Sequence, residues 1–196
     1  MKELKRIAVF CGSSEGNDPG IIEEAKRLGE TLADGNKVLV YGGSKIGIMG
    51  HVAKAVLDNH GEVIGVIPEF LKLKEVVHLG LTELITTENM HERKLKMHEL
   101  SDGFIALPGG FGTLEELFEI ITWSQLGLHQ KPIGLLNCNG FYNDLINMLE
   151  TMVANGFLKM NNMELLIVDS TIDGLLNKMA HYKPVRRPHF LKVERT

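Results

Sequence analysis

Short apolar runs of strand length recur along the chain. Each is followed by a stretch whose apolar residues return at helical spacing, and this alternation limits the fold more than any other feature. The runs at 6–11, 37–41, 62–67, 83–87, 103–107, 131–136 and 165–168 read as strands. Helices are expected over 21–33, 51–59, 89–100, 114–128, 142–155 and 171–181, and 69–80 reads as a loop with some helix. Strands alternating with helices pair in parallel, connect by right-handed crossovers and are covered on both faces. The sequence thus predicts an α/β fold: a single Rossmann-like domain over residues 1–182, with a mainly parallel sheet and helices on both faces. Residues 183–196 form a short tail rich in Lys, Arg and Pro, read as a solvated end or an arm on a partner subunit.

Composition narrows the partners. A chain of 196 residues is long enough for one full core, and a net charge of −4 gives no electrostatic case for nucleic acid. Cys11 and Cys138 make no disulfide framework, which points to a reducing compartment. The opening Met1-Lys2-Glu3-Leu4-Lys5-Arg6 lacks the apolar region of a signal peptide, and no run nears the roughly 18 apolar residues of a membrane span. A soluble, cytoplasmic protein acting on neither membrane nor nucleic acid is expected.

The most informative turn is Pro108-Gly109-Gly110-Phe111-Gly112-Thr113-Leu114-Glu115-Glu116, between the strand at 103–107 and the helix after it. A glycine turn opening a helix presents backbone N–H groups at a positive terminus, which suits a phosphate. It is not a P-loop, because no Gly-Lys-Ser/Thr follows, and Glu115 stands where a dinucleotide fingerprint has its third glycine. Two carboxylates beside an anion are electrostatically odd unless one has chemistry to do. The bland alternative is a capping box, with Thr113 at the cap and Glu116 reaching back to it.

Ligands in such sheets bind beyond the carboxyl ends of the strands. Those ends carry Gly12-Ser13-Ser14, Gly42-Gly43-Ser44, Pro68 and Pro108, so Gly12, Ser13, Gly43, Ser44 and Pro108 are candidates for ligand contact; glycine at a turn can equally serve the backbone alone. Arg93 and Lys94 open a helix at the same edge, either as a solvated basic face or as a grip for phosphate, sugar or carboxylate. His91 and His98 lack metal-ligand spacing, no Cys-x-x-Cys occurs, and Ser13 and Ser44 have no evident His/Asp relay. Neither a metal nor a cofactor is expected, and Cys11 reads as a buried thiol.

Tyr41-Gly42-Gly43-Ser44 with Gly47-Ile48-Met49-Gly50, then Met90-His91-Glu92-Arg93-Lys94, then the Pro108–Glu116 stretch, together resemble the Lonely Guy (LOG) proteins. These are cytokinin riboside 5′-monophosphate phosphoribohydrolases. The likeness runs from Phe10-Cys11-Gly12-Ser13-Ser14 to the last strand, and a PGGxGTxxE pattern joined to an upstream Met-x-x-Arg-Lys is specific. It implies a homodimer that hydrolyses the N-glycosidic bond of a nucleoside 5′-monophosphate. It also implies a catalytic pair of Arg93 and Glu116, a phosphate cradle of Gly109, Gly110, Gly112 and Thr113, and contributions near sugar or base from Met90, Lys94 and Glu83. The lysine decarboxylase label the family has carried finds no support in the residues, since nothing marks a pyridoxal-phosphate lysine. The rival reading is a Rossmann protein that holds a nucleotide without turning it over.

Overall fold

The computed structural model describes residues 3–72 and 77–184. Among them seven strands, β1 (Arg6–Phe10), β2 (Val38–Tyr41), β3 (Val63–Pro68), β4 (Glu83–Thr87), β5 (Gly103–Ala106), β6 (Ile133–Leu136) and β7 (Leu166–Asp169), form one sheet. Its order is β4-β3-β2-β1-β5-β6-β7, with every neighbouring pair parallel. The helices are α1 (Pro19–Asp34), α2 (Gly47–Asp58), α3 (Glu69–Lys72), α4 (Met90–Leu100), α5 (Phe111–Gln125), α6 (Asn143–Ala154), α7 (Met160–Met163) and α8 (Ile172–Ala180).

The pleat sorts the core into two layers, because successive side chains of a strand point to opposite faces. Ile7, Val9 and Cys11 join Leu28, Val52 and Leu175, from α1, α2 and α8. Ala8 and Phe10 face the other way, onto Met97, Leu117 and Ile120 of α4 and α5, and Tyr142 just before α6. Strands buried on both faces explain the near-continuous apolar runs. The link from β4 to β5 must return across β3, β2 and β1 to reach the other half of the sheet, and α4 lies along that path. Asn89 caps α4, its Oδ1 accepting the Glu92 N–H at 2.9 Å. The first turn of α4 therefore stands at the carboxyl edge.

Three helices start earlier than the sequence predicts, α1 only slightly, at Pro19, and α2 and α5 by most of a turn or more. The Gly47-Ile48-Met49-Gly50 stretch, read as loop, is the first turn of α2, whose Met49 N–H donates to Gly12 O at 3.2 Å. Helix α5 begins at Phe111 with Gly110 at its cap, so Thr113 is already inside the helix and the alternative of a capping box does not form. Thr113 is instead buried against Gly109, and Glu116 turns toward Arg93. The short α7 and a 3-10 turn at Cys138–Gly140 were not anticipated. The predicted tail lies outside the described residues from 185 onward.

Candidate active site

Strands β1 and β5 are neighbours, yet the chain leaves them in opposite directions, one toward β2 and the other toward β6. A crevice at their carboxyl ends is the topological consequence. The Gly12 N–H donates to Pro108 O at 3.1 Å and ties the two loops together. A cleft of about 650 Å³ opens beside this tie, lined by Gly12, Ser13, Pro108, Gly109 and Gly110, with Asn139 and Phe141 unforeseen.

Gly110 and Gly112 carry the strongest hint of a ligand. A side chain started at either would meet nothing within 4 Å, and neither adopts positive φ. Glycine in a helix costs about 1 kcal/mol relative to alanine, and nothing inside the protein requires it at Gly112. No side chain caps the α5 N-terminus, leaving its N–H groups for an anion from outside.

On the α4 and α5 side of the same edge, Arg93 Nη1 lies 3.6 Å from Glu116 Oε1. Both side chains are nearly buried, 9% and 12% exposed. The guanidinium is held from behind, its Nε donating to Val66 O at 3.1 Å and its Nη2 to Gly42 O at 3.5 Å. Burial pushes the Glu116 carboxyl up to about 7, and the Arg93 charge only partly offsets this. Burial and the Glu116 charge also push the Cys11 thiol well above its usual range. A carboxyl poised near neutrality beside a fixed cation can hold or release a proton, and as the anion it can face a developing positive charge.

Lys94 is engaged within the protein. Its ammonium donates to Glu115 Oε1 at 2.5 Å and to Glu119 Oε1 at 3.0 Å, with the side chain only 8% exposed. Burial disfavours its charge, but the two carboxylates outweigh that and hold its pKa above the usual lysine value. Glu83 stands apart from the other candidates. It opens β4 opposite Ile64, at the amino edge of the sheet, while the other candidates gather at the carboxyl edge. Ser44 is fully buried, its Oγ accepting the Ile46 N–H, and Gly43 lies beneath His78, whose N–H donates to Gly43 O. Met90 Sδ lies 3.9 Å from Arg93 Nη1. Sequence reasoning missed Glu119, although its spacing from Glu115 marks one helix face. It also missed Tyr142, whose hydroxyl donates to Leu107 O at 2.6 Å and braces the glycine turn from below.

An anion-ready glycine turn at the switch point of a wholly parallel sheet belongs to the Rossmann-like α/β proteins, and solved structures agree on the fold. The molybdenum cofactor binding protein of Rippkaea orientalis superposes with a TM-score of 0.68 at 24% identity, covering 92% of this chain and 98% of that one. The Moco carrier protein of Chlamydomonas reinhardtii gives 0.67 at 18% identity, covering 91% and 97%. The family model described as "Possible lysine decarboxylase" matches residues 49–179, and the chain belongs to that family. Two relatives from Arabidopsis thaliana carry a more definite description. They are cytokinin riboside 5′-monophosphate phosphoribohydrolases LOG3, 45% identical over 93% of this chain and 85% of its own, and LOG4, 47% identical over 91% and 83%. A probable enzyme of the same description from Oryza sativa subsp. japonica, LOGL3, is 45% identical over 92% and 86%.

Proposed function

We propose that this protein hydrolyses the N-glycosidic bond of a nucleoside 5′-monophosphate, AMP or an N6-modified AMP, to the free base and ribose 5-phosphate. The observation that carries the reading is Glu116: a nearly buried carboxyl held near neutrality, 3.6 Å from a guanidinium, on the helix whose N-terminus is open to an anion. The names of the Arabidopsis relatives support the same activity.

In this mechanism the 5′-phosphate sits on the N–H groups at Gly110, Gly112 and Thr113, and its binding energy holds C1′ near Glu116. Breaking the C1′–N bond places positive charge on the ribose. The Glu116 carboxylate stabilises that charge more than it does the neutral ground state, which lowers the barrier. Water supplies hydroxide to C1′; its proton passes through Glu116 toward the departing base, whose ring nitrogen keeps the bonding pair. Arg93 keeps Glu116 in place and favours its anionic form. Lys94 is the buried lysine among the described residues, and its charged, doubly paired state is unlike the neutral amine that Schiff-base chemistry needs.

Incubation with a panel of nucleoside monophosphates and the matching nucleosides tests the reading by release of free base. AMP or its N6-modified forms should be cleaved and adenosine should not, because the cradle has nothing to grip. Glu116→Gln should lower kcat by about 10³-fold, within the span of general acid–base catalysis, with nucleotide affinity kept. A Glu116→Gln protein of normal rate removes Glu116 from the chemistry, and a wild type that binds the monophosphates without releasing base is the nucleotide-binding protein of the rival reading.

The same reading includes a homodimer in a reducing cytoplasm. Leu95 is 48% exposed on α4, Leu126 lies just past α5, and Met148 is 54% exposed on α6. These lie on the helix layer that Met97 and Leu117 anchor from beneath, and a second copy is the occupant proposed for it. Both cysteines are free and buried, in keeping with that compartment.

A further inference from the structure

Gly42 follows β2 at the carboxyl edge, where the sequence leaves open whether its glycine serves a ligand or the turn. Neither is what the geometry there demands. Gly42 is buried, and its φ lies outside the left-handed region, so the turn itself accepts any residue. A side chain started at Gly42 would place its Cβ 2.2 Å from Arg93 Nη2 and 3.4 Å from Arg93 Cζ, with Met49 Sδ at 2.9 Å. The space that a Cβ would fill is the space the guanidinium occupies.

From this we infer that Gly42 is a positioning residue for the hydrolysis: its missing side chain is a socket that seats the Arg93 guanidinium against Glu116. The inference rests on the catalytic reading of Arg93 and Glu116 given above, and adds a reason why glycine must precede Gly43. Arg93 has two backbone anchors, Val66 O on Nε, within β3, and Gly42 O on Nη2, just past β2. With Nε fixed, the plane of the guanidinium is set by how far Nη2 can sink toward Gly42, and that depth sets the 3.6 Å from Nη1 to Glu116. A methyl group at Gly42 leaves Val66 and its strand untouched and lifts the outer half of the guanidinium. The neighbours that must yield are the ends of two flexible side chains, so the substitution is mild for the fold and direct for the pair.

The experiment is a double-mutant cycle in full-length protein with Gly42→Ala, Arg93→Lys and the combination, read by AMP hydrolysis and thermal melting. Gly42→Ala should lower kcat by about 100-fold, the scale of a misplacement of about 1 Å, with KM for AMP changed by no more than about threefold. Arg93→Lys lacks the Nη2 that the socket holds, so adding Gly42→Ala to it should cost nothing further. The acid limb of the kcat/KM profile should move to higher pH in Gly42→Ala. The groups that set the limb are Arg93 and Lys94 on α4, Glu115 and Glu119 on α5, and Cys11 after β1, and of these only Arg93 recedes. A merely structural role for Gly42 moves the melt and leaves this limb in place.

Met49→Ala with Gly42→Ala opens the sulfur side of the slot, and supplies a folded protein for the same measurements if Gly42→Ala alone is poorly soluble. Wild-type kcat in Gly42→Ala, or losses that multiply in the combined variant, overturns the socket while leaving the catalytic pair intact. Wild-type kcat in Arg93→Lys overturns the catalytic reading itself, and the socket with it.

Discussion

Glu116 sits between opposed influences: burial favours its protonated form, and Arg93 favours the anion. The balance, about 7 against an ordinary 4.5, has a consequence for stability that can be read with its sign. Between those two values the folded protein keeps a proton that the unfolded chain has lost, so stability falls as pH rises through that window. The cost is absent below the ordinary value and complete above about 7; it amounts to about 3 kcal/mol at 1.36 kcal/mol per unit. Glu116→Gln carries no such cost. Its stability relative to wild type should therefore improve by about 3 kcal/mol between pH 4 and pH 8, by denaturant titration at each pH. In the wild type, kcat/KM should fall as pH drops through about 7, when the carboxylate takes up its proton. Thr113-x-x-Glu116 left two readings open at this scale because its spacing is also that of a cap, and the fold turns the carboxyl to Arg93 instead. Glu83 entered through the resemblance alone, and the strand expected at 83–87 already puts it at the amino end, away from the other candidates.

At the scale of elements, α4 and α5 are pinned by consecutive residues, Arg93 to Glu116 and Lys94 to Glu115 and Glu119. Glu119 Oε2 is buried without a hydrogen-bond partner, so the lysine charge is its main compensation. Lys94→Met should destabilise the protein by about 2 kcal/mol, below the full loss for a buried pair because Glu115 is half exposed. Glu115→Gln, which leaves the Lys94–Glu119 pair, should cost under about 1 kcal/mol, and chemical denaturation of both variants checks the order. Strand positions were legible to within a residue or two, since a fully buried parallel strand has little choice but an unbroken apolar run. The starts of α2 and α5 were not, because glycine in a first turn reads as loop. Here Gly47 combines a left-handed φ of 63° with close packing on the Ser13 backbone, and Gly112 faces open space.

The whole molecule places its candidate chemistry at one switch point, and the alternation of strand and helix made that much visible in advance. What it could not supply was the sidedness. The wide cleft lies toward α1 and the 3-10 turn, whereas Arg93 and Glu116 stand toward α4 and α5, with the Gly12–Pro108 tie alongside. Assembly belongs to this scale as well. If two copies meet over the α4–α6 layer, Leu95→Glu should convert a dimer to a species near the 21.8 kDa chain mass by light scattering, with the monomer fold kept because Leu95 is half exposed. A wild-type mass equal to one chain at working concentration would remove the dimer.

The anchors of the Arg93 guanidinium are 27 and 51 residues upstream, and its carboxylate partner comes later on α5. A growing polypeptide on the ribosome thus has no assembled pair until most of the sheet and α5 have emerged. On the catalytic reading proposed for this pair, a chain that stops short of α5 should release no base from AMP, and turnover during synthesis should begin only after α5 has emerged.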